Sequence, residues 1–253
     1  MRTLLVLCLF FLMAPVAASP SQKQNSQSLP RIEQILDNHL QAVGGREAWE
    51  RIQTLHETDT LEFPKALGTA VGELWFARNR CYIAVTLRGA SYKGGFDGET
   101  GWSIDPRSGL KKLNGEDLAP SQRNSLFPEE IRLRELVSRM SLKRTALVNG
   151  HQAYVIEVKF TKGYASTMYF DSKTWLKIRE DVTQVDPSGH QSVEEIYFDD
   201  FRDIPDLKIK VAFRRTEKSA QHTVVERVKE LRFNVPVDES LFKPPSSTLH
   251  IQR

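Results

Sequence analysis

Reactive chemistry in this chain would have to come mainly from its acids, because other reactive side chains are sparse. Glu194, Glu195, Asp199 and Asp200 crowd one short stretch, where carboxylates could hold a cation or work as a paired acid and base. A strand period separates them: Glu194 and Asp200 share a face with Ile196 and Phe198, while Glu195 and Asp199 flank Tyr197. With Arg179, Arg202 and Lys208 nearby, the simplest expectation is a set of cross-strand ion pairs on an exposed sheet edge. The six histidines, at 39, 56, 151, 190, 222 and 250, do not pair at metal-ligand spacing, and His-Glu-x-x-His is absent. There is no Gly-x-Ser-x-Gly elbow and no phosphate loop. Asp97, Glu99 and Asp199 could serve a hydrolase only by converging from distant segments. The expectation is a protein that is not an enzyme, with no cofactor, no metal and no catalytic residue.

The elements that would position these side chains are mostly strands. From residue 151 to 233 the chain reads as an antiparallel meander. Tyr154, Ile156, Val158 and Phe160 fall on one face, with Glu157 and Lys159 opposite. Asp171-Ser172-Lys173 and Asp186-Pro187-Ser188-Gly189 turn the chain, and strands Leu207 to Arg215 and Thr223 to Phe233 close the run. A second strand group spans Leu55 to Leu113, with the tight turn Asp97-Gly98 inside it. Before it, Ile32, Ile35, Leu36, Leu40 and Val43 recur at helical spacing until Gly44-Gly45, and a short helix follows with Trp49 as a core residue. Between the strand groups, Pro128-Glu129-Glu130 opens a helix carrying Ile131, Leu133, Leu136, Val137 and Met140. This inserted helical lid, about residues 117–140, is placed to lie across the sheet. The count is roughly eleven or twelve strands in an α+β fold around one antiparallel sheet.

The ends and the bulk composition fix the setting. Arg2, the apolar run Leu4 to Met13 and Val16-Ala17-Ala18 read as a signal peptide over residues 1–18, cleaved near Ala18. Residues 19–27 are expected to form a polar, disordered leader, 28–245 the domain, and 246–253 a loose tail. Cys8 lies inside the apolar run, so Cys81 is the sole cysteine of the mature chain; in its strand-like setting it reads as buried and inert. The 35 basic and 32 acidic residues are interleaved and the net charge is only +3, which argues against nucleic acid as a partner.

Several segments together resemble the LolA/LolB-type outer-membrane lipoprotein-sorting superfamily, in a divergent exported branch. They are the Ile35 to Val43 helix with Gly44-Gly45-Arg46-Glu47-Ala48-Trp49, Phe96-Asp97-Gly98 with Gly101-Trp102, and Tyr169-Phe170-Asp171 to Trp175-Leu176. Phe201-Arg202-Asp203 and the ending Val237-Asp238 to Leu241-Phe242-Lys243-Pro244 complete the order. The resemblance implies an incomplete, strongly curved half β-barrel whose concave face is covered by helices. It also implies a soluble periplasmic binder of lipid or lipoprotein acyl chains, a monomer, with membrane-associated donor and acceptor proteins as further partners. The apolar cavity it implies would be lined by Leu74, Phe76, Ile83 and Val85 from the first strands. Tyr154, Ile156, Val158 and Phe160 would line it from the meander, and Ile131, Leu133, Leu136 and Met140 from the lid. A sensor or protein-interaction module on the same fold, using Val193 to Phe201 as an open edge, is the alternative.

Overall fold

A computed structural model describes residues 29–64, 67–135, 137–161, 165–185, 191–220 and 222–245. The signal peptide, the leader, the 186–189 turn, Leu136 and the 246–253 tail lie outside the described residues. Helices α1 (Ile32–Ala42) and α2 (Arg46–Glu50) precede strands β1 (Thr54–Glu62), β2 (Thr69–Ala77), β3 (Arg80–Leu87), β4 (Ala90–Phe96), β5 (Gly101–Asp105) and β6 (Gly109–Leu113). A helical segment follows, built from 3-10 turns at Gly115–Leu118 and Leu133–Glu135 around α3 (Ala119–Asn124) and α4 (Glu129–Arg132). Then come β7 (Val137–Val148), β8 (His151–Phe160), β9 (Ala165–Asp171), β10 (Lys177–Val185), β11 (Gln191–Ile204), β12 (Ile209–Lys218) and β13 (Thr223–Phe233).

All thirteen strands form one antiparallel sheet in the order β6-β5-β4-β3-β2-β1-β13-β12-β11-β10-β9-β8-β7. Every neighbour but one is joined by a local connection. The exception is β1 beside β13, with Leu55 opposite Phe233 and Glu62 opposite Val225. That seam welds two meanders into one sheet. It also puts β6 and β7, consecutive in sequence, at opposite edges, so the segment between them has to cross from one edge to the other.

Three sequence expectations change here. The described residues form thirteen strands, one or two more than the eleven or twelve expected. The lid occupies 115–135 and not 117–140: Val137 and Met140 lie on β7, because an apolar spacing of three fits a bulged strand as well as a helix. And Val193 to Phe201 is no edge, since β11 is hydrogen-bonded to β10 on one side and β12 on the other. Two cross-strand ion pairs do form there, Glu195–Arg179 and Asp199–Arg214, with Arg214 in the place expected of Lys208, whereas Asp200 pairs with Arg202 of its own strand.

The helices seal the concave face from one side. Ile35, fully buried, packs into Ile156, Val158, Phe160, Met168 and Phe170, so α1 is clamped onto β8 and β9 by the apolar face read from the sequence. Its end needs glycine. Gly44 has φ +119°, and a Cβ there would stand 2.3 Å from the Lys208 carbonyl oxygen. The close approach lets the Lys210 amide donate to the Val43 carbonyl, tying the helix end to β12. Trp49 is buried among Leu40, Leu55, Phe127 and Ile209, and its indole donates to the Val43 carbonyl. Cys81 is buried too, and burial pushes its thiol up to about 12. On the convex face the 3-10 turn Glu239–Phe242 covers Tyr82 and Trp102, whose indole donates to the Phe242 carbonyl. None of the described helices is long and apolar enough to cross a membrane.

Candidate functional site

Between the lid and the sheet lies a space of about 530 Å³. Leu55, Leu61, Leu74, Phe76, Ile83 and Val85 form its apolar wall on β1 to β3, and Leu126 and Phe127 of the lid face them. Phe76 stacks on Phe127 at 5.8 Å. A second space of about 320 Å³ opens between α1, α4 and β9 to β12. The two share Glu129, Glu130, Lys177, Phe198 and Arg215 in their walls. Four expected lining residues, Leu74, Phe76, Ile83 and Val85, are brought together in the larger space, and Ile131 and Leu133 border the smaller one. Tyr154, Ile156, Val158, Phe160 and Met140 pack beneath α1 as ordinary core, because the helix fills the concavity there. Leu136 lies outside the described residues.

The lid is fastened from both sides. The buried Arg132 guanidinium donates to the Phe127 carbonyl (3.0 Å), to the Glu135 carboxylate (2.6 and 3.0 Å) and to Asn79 Oδ1 (2.6 Å) at the β2–β3 turn. Across the lid, Arg123 pairs with Glu129 at 2.8 Å and with Glu180 of β10 at 3.3 Å. Lys177 bridges the same two carboxylates at 3.2 and 3.0 Å. This belt of charge separates the two spaces. Burial would raise the Glu129 carboxyl, but the Arg123 and Lys177 cations overcome that and hold it at about 2. At Glu130 burial and the Glu129 charge outweigh the pull of the same two cations and raise it to about 7.

The Glu130 shift has a sign that can be checked. Below about 4.5 the group is protonated in both states and costs nothing. Between there and about 7 the unfolded chain gives up the proton while the folded chain keeps it, so stability falls as pH rises. Glu130→Gln is therefore expected to stabilise the protein at pH 8, by on the order of 1–2 kcal/mol after discount for solvent access, and to be neutral near pH 4. Urea unfolding of both proteins at the two pH values reads the difference.

A second buried cluster lies on the β1–β13 seam. Arg215 of β12 makes a bidentate pair with Glu226 (2.7 and 2.8 Å), donates to Glu57, and stands 3.7 Å from Asp59 Oδ2. Burial, then the Glu226 carboxyl beside it, push Asp59 up to about 9. Burial, then the charge of Glu226, raise Glu217 to about 7. Burial opposes ionisation of Glu226 as well, but the Arg215 pair keeps it below the ordinary carboxylate value. Sequence reasoning missed this group because its members lie up to about 170 residues apart. One signal was present: Glu57 and Asp59 alternate in step with Leu55 and Leu61, which puts two acids on the apolar face of β1. The dispersed acids Asp97 and Asp199 do not join it. Asp97 caps its own turn by accepting from the Glu99 and Thr100 amides, and Asp199 pairs with Arg214.

No family model matches the sequence, and no curated protein does. Solved structures do share the architecture. A DUF1329 family protein from Desulfovibrio piger superposes with a TM-score of 0.55 at 15% identity, over 84% of this chain and 97% of that one. A LolA superfamily protein from Nitrosomonas europaea gives 0.55 at 12% identity, over 83% and 96%. A domain from Vibrio parahaemolyticus assigned to outer membrane lipoprotein sorting gives 0.53 at 14% identity, over 83% and 94%. The thirteen-stranded sheet and its helical cover thus share the fold of these three proteins, one of them a LolA superfamily protein.

Proposed function

We propose that this chain is an exported, soluble carrier of lipid or lipoprotein acyl chains, acting in the periplasm without catalysis. The observation that carries the reading is the space of about 530 Å³ under the lid, with Leu55, Leu61, Leu74, Phe76, Ile83 and Val85 along one wall. Its size falls in the range of small-molecule sites, about 300–1,000 Å³. Each methylene buried there contributes about 0.8 kcal/mol, so an acyl chain needs no polar motif to bind well. The fold shared with a lipoprotein-sorting domain supports the same reading. Donor and acceptor proteins in the membrane, and a monomeric state in transit, complete the picture.

The test is direct. Delipidated protein should bind a fluorescent long-chain fatty acid, and Leu74→Trp, which places an indole in the cavity, should weaken that binding at least roughly tenfold. Native mass spectrometry of the protein from its own host should show a co-purifying apolar molecule. Protein that binds no fatty acid and always emerges empty would end this reading.

A further inference from the structure

The seam cluster gathers more buried carboxyl groups than one guanidinium can pair. Arg215 is paired with Glu57, Asp59 and Glu226, and Glu217 adds a fourth carboxyl group beside them. Burying a carboxylate without full compensation costs several kcal/mol, so the carboxyl groups that Arg215 leaves over must be met by a proton or by a second cation. Geometry says what kind. One oxygen from each of Glu57, Asp59 and Glu226 lies within 4.8 Å of the other two. An ion at about 2.3–2.6 Å from three oxygens spans such a triangle, and that is the reach of calcium in an all-oxygen site.

Two independent observations bear on the same point. Both Asp59 oxygens are fully buried and meet no hydrogen-bond donor among the described residues. A proton shared with Glu226 would satisfy one of them and leave the other bare, whereas an ion facing the carboxylate satisfies both. The second observation is Gly72, opposite Asp59 in the β1–β2 ladder. A Cβ there would stand 3.5 Å from Asp59 Oδ2 and 3.0 Å from Leu61 Cδ1, so glycine keeps that side of the carboxylate open. Glu57, Gly72 and Glu226 line the large cavity and Asp59 lies behind them.

The geometry points to a binding site for a hard divalent cation, of the calcium or magnesium class, held by Glu57, Asp59 and Glu226 at the floor of the cavity. Three carboxylates without nitrogen or sulfur suit such ions and do not select zinc or copper. Cavity water completes the coordination, and Arg215, bidentate on Glu226, holds that carboxylate in place. The ion would cross-link β1 to β13, the one pairing that joins the two halves of the sheet.

The experiment uses the mature chain stripped with EDTA and probed with Mn2+, whose free signal is read by electron paramagnetic resonance. About one ion per chain should bind, Ca2+ or Mg2+ should displace it, and either should raise Tm by several degrees. Asp59→Asn and Gly72→Ala should each weaken binding at least roughly tenfold, while Glu195→Gln, in a separate ion pair with Arg179, should not change it. If Asp59→Asn fails to fold, Gly72→Ala carries the comparison. A wild-type chain that binds no Mn2+ at about 1 mM, or an Asp59→Asn or Gly72→Ala chain that binds it as well as wild type, overturns the site. Fatty-acid binding is measured separately, so loss of either property leaves the other standing.

Discussion

Arg215→Met is expected to cost about 3–5 kcal/mol of unfolding free energy at pH 7, among the largest losses a single change can cause in this protein. The guanidinium is bidentate on Glu226, bonded to Glu57 and close to Asp59, and those three side chains are nearly inaccessible to water. Methionine replaces the stem but strands the carboxylates in the wall of an apolar space. Proton uptake relieves the stranded charge, so the loss should shrink as pH falls toward 5. Combining Arg215→Met with Glu226→Gln should restore a substantial part of it, because the second change removes one of the orphaned charges. Urea unfolding of wild type and of the single and double variants at pH 7 and pH 5 gives the six values needed. A single-variant loss under about 1 kcal/mol would mean that water already reaches the cluster.

Arg132→Ala should have an equally large but more local effect. The guanidinium ties α4 to its own segment through the Phe127 carbonyl and Glu135, and to the sheet through Asn79. Truncation leaves a buried carbonyl and the Asn79 amide oxygen without a donor, at about 2–4 kcal/mol. The lid has few apolar anchors besides Leu126 and Phe127, so it should detach before the sheet unfolds. Amide hydrogen exchange across residues 115–135 should accelerate roughly a hundredfold or more, with β8 and β9 unchanged. Asn79→Ala should give a smaller acceleration in the same segment. Equal protection of the lid in wild type and Arg132→Ala would show that the tether is dispensable.

The sheet itself was legible because an antiparallel strand with one buried face writes its geometry into every second residue, as Tyr154 to Phe160 do. What pairs with what was not. The β1–β13 seam joins residues about 170 positions apart, and no local pattern encodes that contact. The mixed charges along β11 suggest an edge, yet its meander neighbours β10 and β12 flank it inside the sheet. Met140 illustrates a different limit: Leu133, Val137 and Met140 keep a three-to-four spacing that a helix and a bulged strand both satisfy. For the cavity, the alternation in β2 and β3 picked out the residues that face it, Leu74, Phe76, Ile83 and Val85. The same alternation in β8 could not tell a cavity wall from a surface that α1 fills, because both demand apolar side chains. The charged floor was the least legible feature, since its cost and its compensation arise only when three distant strands meet.

The lid runs from β6 at one margin of the sheet to β7 at the other. Mechanically, it is the string of a bow whose limb is the curved sheet. A string fixed at both ends cannot swing aside like a flap; it slackens when the limb straightens and tightens when the limb bends. Admitting a long guest would then mean changing the curvature of all thirteen strands together. The length of chain between Leu113 and Val137 would set how far that curvature can relax.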